Sequence, residues 1–177
     1  NKASHINQLN HLKINPIDLV IVNLYPFENI IKKKSSDAKC IENIDIGGPS
    51  LIRGAAKNFK SVVVLTSPNQ YDELINEANK NRNFIGYDLR KKLAIEAFKH
   101  TAYYDTVIAS WFNKNNEIYQ SKKTALPLKK INNLRYGENP HQKAAIFSLG
   151  ENEVEKISGK DLSYNNINDL EIAFELA

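Results

Sequence analysis

The sequence predicts an α/β protein in which a parallel sheet with flanking helices is followed by the start of a second α/β domain. Two short runs rich in β-branched residues, Ile17–Leu24 and Ser61–Thr66, are separated by a helical pattern, as in a strand-helix-strand unit. The apolar fraction of 42% and the charged fraction of 25% are typical of a globular chain. A polar stretch after Asn113 and a new apolar run at Ala144–Leu149 indicate the second domain.

The strand-helix-strand unit begins with Ile17–Leu24. This run is almost continuously apolar, which favours a strand covered on both faces of a sheet. The helix is predicted to begin at Pro49, because the first turn of a helix tolerates proline. Its apolar residues then recur at helical spacing: Leu51, Ile52, Ala55 and Ala56. The run Ser61–Thr66 supplies the second strand.

Two further helices complete the first unit. The first is predicted for residues 69–79. Asp88 is predicted to cap the second, because an aspartate side chain accepts hydrogen bonds from the N–H groups at a helix start. Apolar residues continue at helical spacing from Leu89 to Phe112, so this second helix is expected to be long.

The chain divides into three stretches: residues 1–115 as the first domain, 116–130 as a linker and 131–177 as the start of a second domain. The linker is polar, rich in lysine and contains Pro127. The last stretch, about 45 residues, is too short to bury a core of its own. Methionine is absent, and a helical pattern is still running at the last residue. We therefore expect the chain to be part of a longer protein.

Composition excludes several classes of protein. The longest apolar runs, such as Val62–Leu65, are far shorter than the roughly 20 residues of a membrane helix. Cys40 is the single cysteine and no signal peptide is recognisable, so we expect a cytoplasmic protein. The net charge of +4 comes from scattered lysines rather than one helical face, which disfavours nucleic acid as a partner.

Tyr25 follows the first predicted strand in the segment N-L-Y-P-F. Open α/β sheets bind ligands at the carboxyl ends of their strands, so Tyr25 is a candidate site residue. The alternative is a turn in which Pro26 ends the strand and the aromatic side chains cover the sheet edge.

The segment N-I-D-I-G-G-P leads into the next helix. Two glycines, Gly47 and Gly48, allow the backbone to approach a ligand closely, and the N–H groups at a helix start attract an anion. Asp45 lies beside them as a candidate acid or base. The alternative is a helix-entry turn without a ligand.

Lys57 lies four residues after Arg53 on the same helix, in the segment R-G-A-A-K-N. The small residues before Lys57 leave room for a ligand, and a partly desolvated lysine has a pKa suited to proton transfer. Helical side chains lean toward the helix N-terminus, here toward Asp45. The alternative is a solvated surface pair.

In the segment L-R-Y-G-E-N-P-H-Q, Arg135 precedes Tyr136 and a glycine turn. The arginine could bind a phosphate or carboxylate, and the tyrosine could stack on a flat ring. The alternative is an ordinary loop. The histidines fit no metal-ligand spacing, so no metal site is predicted: His5, His11 and His100.

Six segments of the chain together resemble the bifunctional purine-biosynthesis enzymes that join IMP cyclohydrolase to AICAR transformylase. In chain order they are I-V-N-L-Y-P-F, N-I-D-I-G-G-P, R-G-A-A-K-N, A-F-K-H-T-A-Y-Y-D, L-R-Y-G-E-N-P-H-Q and L-S-Y-N-N-I-N-D. The resemblance implies a methylglyoxal-synthase-like parallel sheet in the first domain and the start of a cytidine-deaminase-like transformylase domain. It also places Lys99 and His100 in a cyclohydrolase helix, outside any transformylase catalytic pair.

The resemblance implies two reactions: formylation of AICAR by 10-formyltetrahydrofolate, and cyclisation of formyl-AICAR to IMP with loss of water. The cyclisation needs no cofactor, and the partners are purine nucleotides, with a homodimer as the full-length assembly. Phosphate-binding segments of the family lie upstream and its transformylase Lys-His pair lies downstream. We therefore expect this chain alone to catalyse neither reaction.

The resemblance also implies roles for individual residues. Cyclohydrolase catalysis falls to Tyr25, Asp45 and Lys57, and nucleotide binding to Val22, Asn23, Ile46 and Gly47. In the transformylase domain, AICAR binding falls to Arg135, Tyr136 and Asn166. A non-catalytic module of the same fold that binds a phosphorylated effector is the alternative. It would need neither the three catalytic residues together nor the start of a second domain.

Overall fold

A computed structural model describes residues 2–113, 122–149 and 156–176. The chain forms two compact units, Asn1–Lys122 and Lys123–Ala177. The first unit contains α1 (Ala3–His11), β1 (Leu19–Ile21), α2 (Phe27–Lys32), α3 (Asp37–Glu42), α4 (Gly47–Lys57), β2 (Val63–Leu65), a 3₁₀ turn (Pro68–Gln70), α5 (Tyr71–Lys80) and α6 (Tyr87–Phe112). The second contains β3 (Lys129–Leu134), β4 (Ala144–Ser148) and α7 (Tyr164–Leu176).

The predicted strand-helix-strand unit is confirmed. Strands β1 and β2 pair in parallel, with Leu19 opposite Val63 and Ile21 opposite Leu65. Helix α4 lies in the connection between them, together with α2 and α3, which the sequence did not predict. Helix α2 begins immediately after Pro26, and the Ser36 side chain caps α3 by accepting a hydrogen bond from the Lys39 N–H.

The expectation that the first strand is covered on both faces is wrong. Leu19 and Ile21 are 42% and 49% exposed, whereas every residue of β2 is buried. Both strands also have only three residues each, shorter than the apolar runs. The difference arises because β2 packs against helices on both faces, and no described element covers the outer side chains of β1.

The core of the first unit lies between the sheet and helices α4 and α6. Ile52 and Ala56 on α4 pack with Val64 on β2 and Ala97 on α6. The alanines let the two helices approach closely. A second cluster joins α2, α3 and α6, and its buried members are Phe27, Cys40, Tyr104, Val107 and Trp111.

The start of α6 differs from the prediction. The helix begins at Tyr87 after Gly86, so Asp88 is its second residue and not its cap. The extended backbone of Gly86 ends the preceding loop, and its N–H donates to Glu77 at 3.4 Å. Asp88 still lies in the first turn, where a negative charge is favourable.

In the second unit β3 and β4 form an antiparallel pair with an irregularity between Lys130 and Asn132. Strand β3 begins inside residues 116–130, the stretch assigned to a linker. Its sequence, K-K-I-N-N-L, is mostly polar, and only its two apolar residues, Ile131 and Leu134, are partly buried. Strand β4 agrees with the predicted run at Ala144–Leu149. Among the described residues, no helix has both the length and the apolar character to cross a membrane.

His100 on α6 gives the first testable expectation. Its Nε2 is buried without a hydrogen-bond partner among the described residues, and burial lowers its pKa below 6.5. As the pH falls, His100 therefore binds a proton at a higher pH in the unfolded chain than in the folded chain. The stability that comes from the neutral, buried His100 is present above about pH 6.5 and is lost on acidification. We expect His100→Gln to weaken the loss of stability between pH 7.5 and 5.5 in denaturant unfolding.

The matched control is His11→Gln, which changes an exposed histidine on α1. The control is expected to keep the pH dependence of the original chain. If the stability of the chain and that of its His100→Gln variant depend on pH in the same way, the assignment of this pH dependence to His100 is contradicted.

Candidate functional site

The carboxylate of Asp45 joins the end of β1 to the start of α4. Its Oδ1 accepts a hydrogen bond from the Gly48 N–H at 2.7 Å, and its Oδ2 accepts one from the Tyr25 N–H at 3.3 Å. The Gly48 N–H is one of the groups that lack an acceptor within the helix, because the first turn has no preceding carbonyl. The structure thus brings the backbone of Tyr25 and the carboxylate of Asp45 together.

Gly48 is required for this close approach. A Cβ at Gly48 would lie 2.5 Å from Asp45 Oδ2 and 2.6 Å from Leu24 Cδ2, closer than nonbonded atoms tolerate. Gly47, by contrast, is exposed, and a Cβ there would meet no described atom within 4 Å. The second glycine of the pair therefore sets the geometry of the turn.

Two alanine substitutions on α4 should have opposite effects on stability. We expect Gly48→Ala to lower it by about 1 to 3 kcal/mol, because the methyl group must displace Asp45 or Leu24. Gly54→Ala, at a position with space for a Cβ, should raise it by about 0.5 to 1 kcal/mol, since alanine favours the helix. Thermal unfolding of both variants measures the difference. Equal shifts of the same sign would argue against the tight turn.

Lys57 lies at the other end of α4. It is the last residue of the helix and is exposed, and the ten residue steps from Gly47 correspond to about 15 Å along the axis. A side chain leans back over about one turn, about 5.4 Å, so a lean of Lys57 toward Asp45 would leave the two groups apart. Any substrate on which both act must lie along the exposed face of α4 between them.

That face of α4 is partly open. Gly54 has no side chain there, and the guanidinium of Arg53 lies 5.8 Å from the centre of the Phe98 ring on α6. Arg53 is thereby drawn to one side of the helix.

The predicted nucleotide-binding residues lie around the same turn. Val22 is partly buried against the core, and its backbone N–H donates to the Leu65 carbonyl at 3.0 Å. Asn23 is exposed at the strand exit, and Ile46 is 76% exposed at the start of α4. Tyr25 is 55% exposed, so its phenol is accessible to solvent while its backbone holds Asp45.

Tyr104 is part of this cluster, although it was not among the predicted site residues. It is 8% exposed, and its hydroxyl oxygen accepts a hydrogen bond from the Asp45 N–H at 2.9 Å. Burial raises its pKa above 10; the hydrogen bond from the Asp45 N–H acts against this, and the charges of Asp45 and Asp105 act in the same direction as burial. A signal was present in the sequence, because a tyrosine in the buried stripe of a helix needs a partner for its hydroxyl.

An open groove of about 450 Å³ lies between the Asp45 turn and the end of α6. Its lining is mainly apolar with two carboxylates: Ile44, Asp45, Pro49, Asp105, Ile108 and Phe112. Neither Tyr25 nor Lys57 borders it. The groove therefore includes Asp45 and Ile46 of the predicted site but neither of the other two predicted catalytic residues.

The second unit presents Arg135 next to the ring of Tyr136. The guanidinium carbon lies 4.9 Å from the ring centre, and Nη2 donates to the phenol oxygen at 3.3 Å. Lys156, which donates to Asp161 at 2.7 Å, lowers the pKa of that carboxyl group, and Arg135 adds a smaller lowering.

Backbone pairing brings Asn166 to the same region. The Arg135 N–H donates to the Leu162 carbonyl at 2.8 Å, and the Tyr164 N–H donates to the Tyr136 carbonyl at 3.1 Å. These two bonds place the start of α7 beside the Arg135–Tyr136 segment. The three predicted AICAR-binding residues therefore lie on two neighbouring segments.

Asn166 has a structural task at this helix start. Its Oδ1 accepts hydrogen bonds from the Ser163 N–H at 3.1 Å and from the Ser163 hydroxyl at 3.0 Å. In return the Asn166 N–H donates to Ser163 Oγ at 3.4 Å, which completes a capping box. Only the amide NH₂ of Asn166 is left for a ligand.

The loop that follows Tyr136 is closed by its own hydrogen bonds. The Gly137 N–H donates to the Gln142 carbonyl at 2.9 Å, and the Asn139 N–H donates to Gln142 Oε1 at 2.8 Å. A Cβ at Gly137 would lie 3.0 Å from the Gln142 side chain. These hydrogen bonds fix the loop that directly follows Arg135 and Tyr136. Within residues 2–113, 122–149 and 156–176, no three His, Cys, Asp or Glu side chains converge to hold a metal ion.

Comparison with known proteins relates the chain to a family of bifunctional enzymes. Residues 55–177 match the family model described as AICARFT/IMPCHase bienzyme. The bifunctional purine biosynthesis protein PurH of Prochlorococcus marinus strain MIT 9312 is 52% identical over 161 residues, which is 89% of this chain and 30% of that protein. PurH of Thermoanaerobacter sp. strain X514 is 46% identical over 178 residues, 97% of this chain and 35% of that protein.

A solved structure described as the crystal structure of ForH is also similar. It has a TM-score of 0.54 and 31% sequence identity, and the match covers 63% of this chain and 59% of that one. The chain spans about a third of the length of the curated relatives it matches, from 30% to 35%.

Proposed function

Because the chain belongs to the AICARFT/IMPCHase bienzyme family, we propose that it serves the last two steps of de novo IMP synthesis. These are the formylation of AICAR by 10-formyltetrahydrofolate and the cyclisation of formyl-AICAR to IMP with loss of water. One observation carries the proposal beyond family membership. The Asp45 turn and the Arg135–Tyr136 pair lie in two separate units of one chain, as expected if each serves one reaction.

The first unit is proposed to carry the cyclohydrolase chemistry. The carboxamide nitrogen of formyl-AICAR attacks the formyl carbon, and one proton passes from this nitrogen to the former formyl oxygen. The formamide nitrogen then gives up its own proton as the carbon–nitrogen double bond forms, and the oxygen leaves as water. Lys57 would move the proton, and Asp45 and Tyr25 would orient and polarise the reacting groups. Backbone N–H groups at residues 46–48 would stabilise the developing negative oxygen. The step needs no metal or cofactor in this scheme.

The second unit is proposed to help bind AICAR for formylation. The exposed guanidinium of Arg135 suits an anionic group of the nucleotide, and the Tyr136 ring suits its flat base. The NH₂ of Asn166 is left to donate to the same ligand. The folate is the cosubstrate that supplies the formyl group. Residues outside this chain are proposed to complete both sites.

Several finer assignments belong to the same proposal. The sheet of the first unit is proposed to be methylglyoxal-synthase-like, and the second unit to be the start of a cytidine-deaminase-like domain. The assembly is proposed to be a homodimer in the cytoplasm, with purine nucleotides rather than nucleic acids or membranes as partners. The parallel pairing of β1 and β2 supports the assignment of a methylglyoxal-synthase-like sheet.

The alternative, a regulatory module that binds a phosphorylated effector, is not favoured, because the family model and the relatives that match the chain are bifunctional enzymes. The test of the proposed function is turnover in a complete bienzyme, made as a chimaera in which this chain replaces the matching third of the Prochlorococcus relative. The proposal expects the chimaera to convert AICAR and 10-formyltetrahydrofolate to IMP, with the unaltered relative as control. A chimaera that folds and binds nucleotide but makes no IMP would support the regulatory module instead.

A further inference from the structure

We propose that Tyr104 is a positioning residue for the cyclisation, acting through Asp45. The proposal rests on the function proposed above and adds a residue on α6 to the site. Tyr104 would not touch the substrate. Its hydroxyl group would fix the turn that presents the Asp45 carboxylate.

The Tyr104 hydroxyl lies between the two ends of the turn before α4. Its oxygen accepts from the Asp45 N–H at 2.9 Å, and its proton is directed to the Asn43 carbonyl at 3.5 Å. The carboxylate of Asp45 meanwhile accepts from Gly48 and Tyr25. Asp45 is therefore held by its backbone from α6, and by its side chain from the start of α4 and from the segment that follows β1.

Tyr104 is itself rigidly held. Its ring packs against Phe27 in an edge-to-face arrangement with 6.4 Å between ring centres, and Cys40 and Trp111 belong to the same buried cluster. Phe27 follows Tyr25 by two residues in the chain. The buried Tyr104 thus contacts both turns that carry predicted catalytic residues: its ring packs near the Tyr25 turn, and its hydroxyl group binds the Asp45 turn.

Loss of the hydroxyl group would leave the Asp45 N–H without this acceptor and would loosen the turn, while the ring kept its packing. A displacement of about 1 Å at a catalytic group costs about 100-fold in rate. We therefore expect Tyr104→Phe to lower kcat for formyl-AICAR cyclisation by about 10- to 100-fold. KM should change little, because the nucleotide-binding groups remain in place.

The neighbouring Tyr103 supplies a matched control. Its hydroxyl donates to Glu28 Oε1 on α2 at 2.8 Å, away from the Asp45 turn. Tyr103→Phe removes a hydrogen-bonding hydroxyl from the same helix and is expected to leave kcat for cyclisation within about twofold of the starting enzyme.

The experiment compares the two variants in the chimaeric bienzyme. Hydrogen exchange of the peptide covering residues 43–48 is measured by mass spectrometry beside kcat and KM for cyclisation. Tyr104→Phe should speed exchange in this peptide and lower kcat, and Tyr103→Phe should do neither. Unchanged exchange or unchanged kcat in Tyr104→Phe would overturn the proposal. Faster exchange in a chimaera that makes no IMP even before mutation would show that the proposed function, not the contact, is at fault.

Discussion

Replacing Lys57 by alanine is expected to lower the rate of formyl-AICAR cyclisation by about 10²- to 10⁴-fold, the range typical of a lost proton-transfer group. That corresponds to about 3 to 5 kcal/mol of transition-state stabilisation. The rate of AICAR formylation should stay close to that of the starting enzyme, because Arg135 and Tyr136 lie in the other unit. Formyl-AICAR should therefore accumulate when both substrates are supplied. Both rates are measured in the chimaeric bienzyme.

Lys60→Ala is the matched control, since Lys60 is an exposed lysine three residues further along the chain with no proposed role. It should leave both rates unchanged. An unchanged rate of IMP formation in Lys57→Ala would remove Lys57 from the mechanism. The test is demanding because Lys57 and Asp45 lie at opposite ends of α4 and must act on the same substrate.

Replacing Arg135 by lysine is expected to weaken AICAR formylation by about 1 to 3 kcal/mol, or about 5- to 150-fold. Lysine keeps the positive charge but loses the planar fork that binds an anionic group through two parallel hydrogen bonds. It also loses the planar surface that lies on the Tyr136 ring at 4.9 Å. Cyclisation of formyl-AICAR should be spared. The measurement is kcat/KM for AICAR at saturating 10-formyltetrahydrofolate.

Arg82→Lys serves as the control for the same chemical change at an exposed position after α5. It should change neither reaction. Equal losses of formylation and cyclisation in Arg135→Lys would instead indicate that the loop supports folding.

The elements that were predicted correctly are those in which the apolar residues are also the buried ones. Every residue of β2 is buried, so its apolar run identified it directly. Strand β1 has the same composition, yet Leu19 and Ile21 are exposed, because composition does not show which neighbours are present. Strand β3 escaped prediction for the opposite reason: two partly buried side chains in a lysine-rich stretch give no strand pattern.

Spacing along the chain was similarly informative about some site residues and misleading about others. Asp45, Gly47 and Gly48 are close in sequence, and the turn follows from their chemistry. Lys57 is ten positions beyond Gly47, the first residue of α4, so helical rise separates it from the Asp45 turn. Tyr104 approaches Asp45 from 59 positions away, a contact that only packing of α6 produces.

The most direct test of the central claim, that the two units of the chain serve two different reactions, supplies formyl-AICAR itself to the chimaeric bienzyme. IMP formation is followed in the starting enzyme, in Lys57→Ala and in Arg135→Lys. We expect IMP to form at the starting rate in Arg135→Lys and about 10²- to 10⁴-fold more slowly in Lys57→Ala. Equal slowing in both variants, or no slowing in Lys57→Ala, would contradict the division of the two reactions between the units.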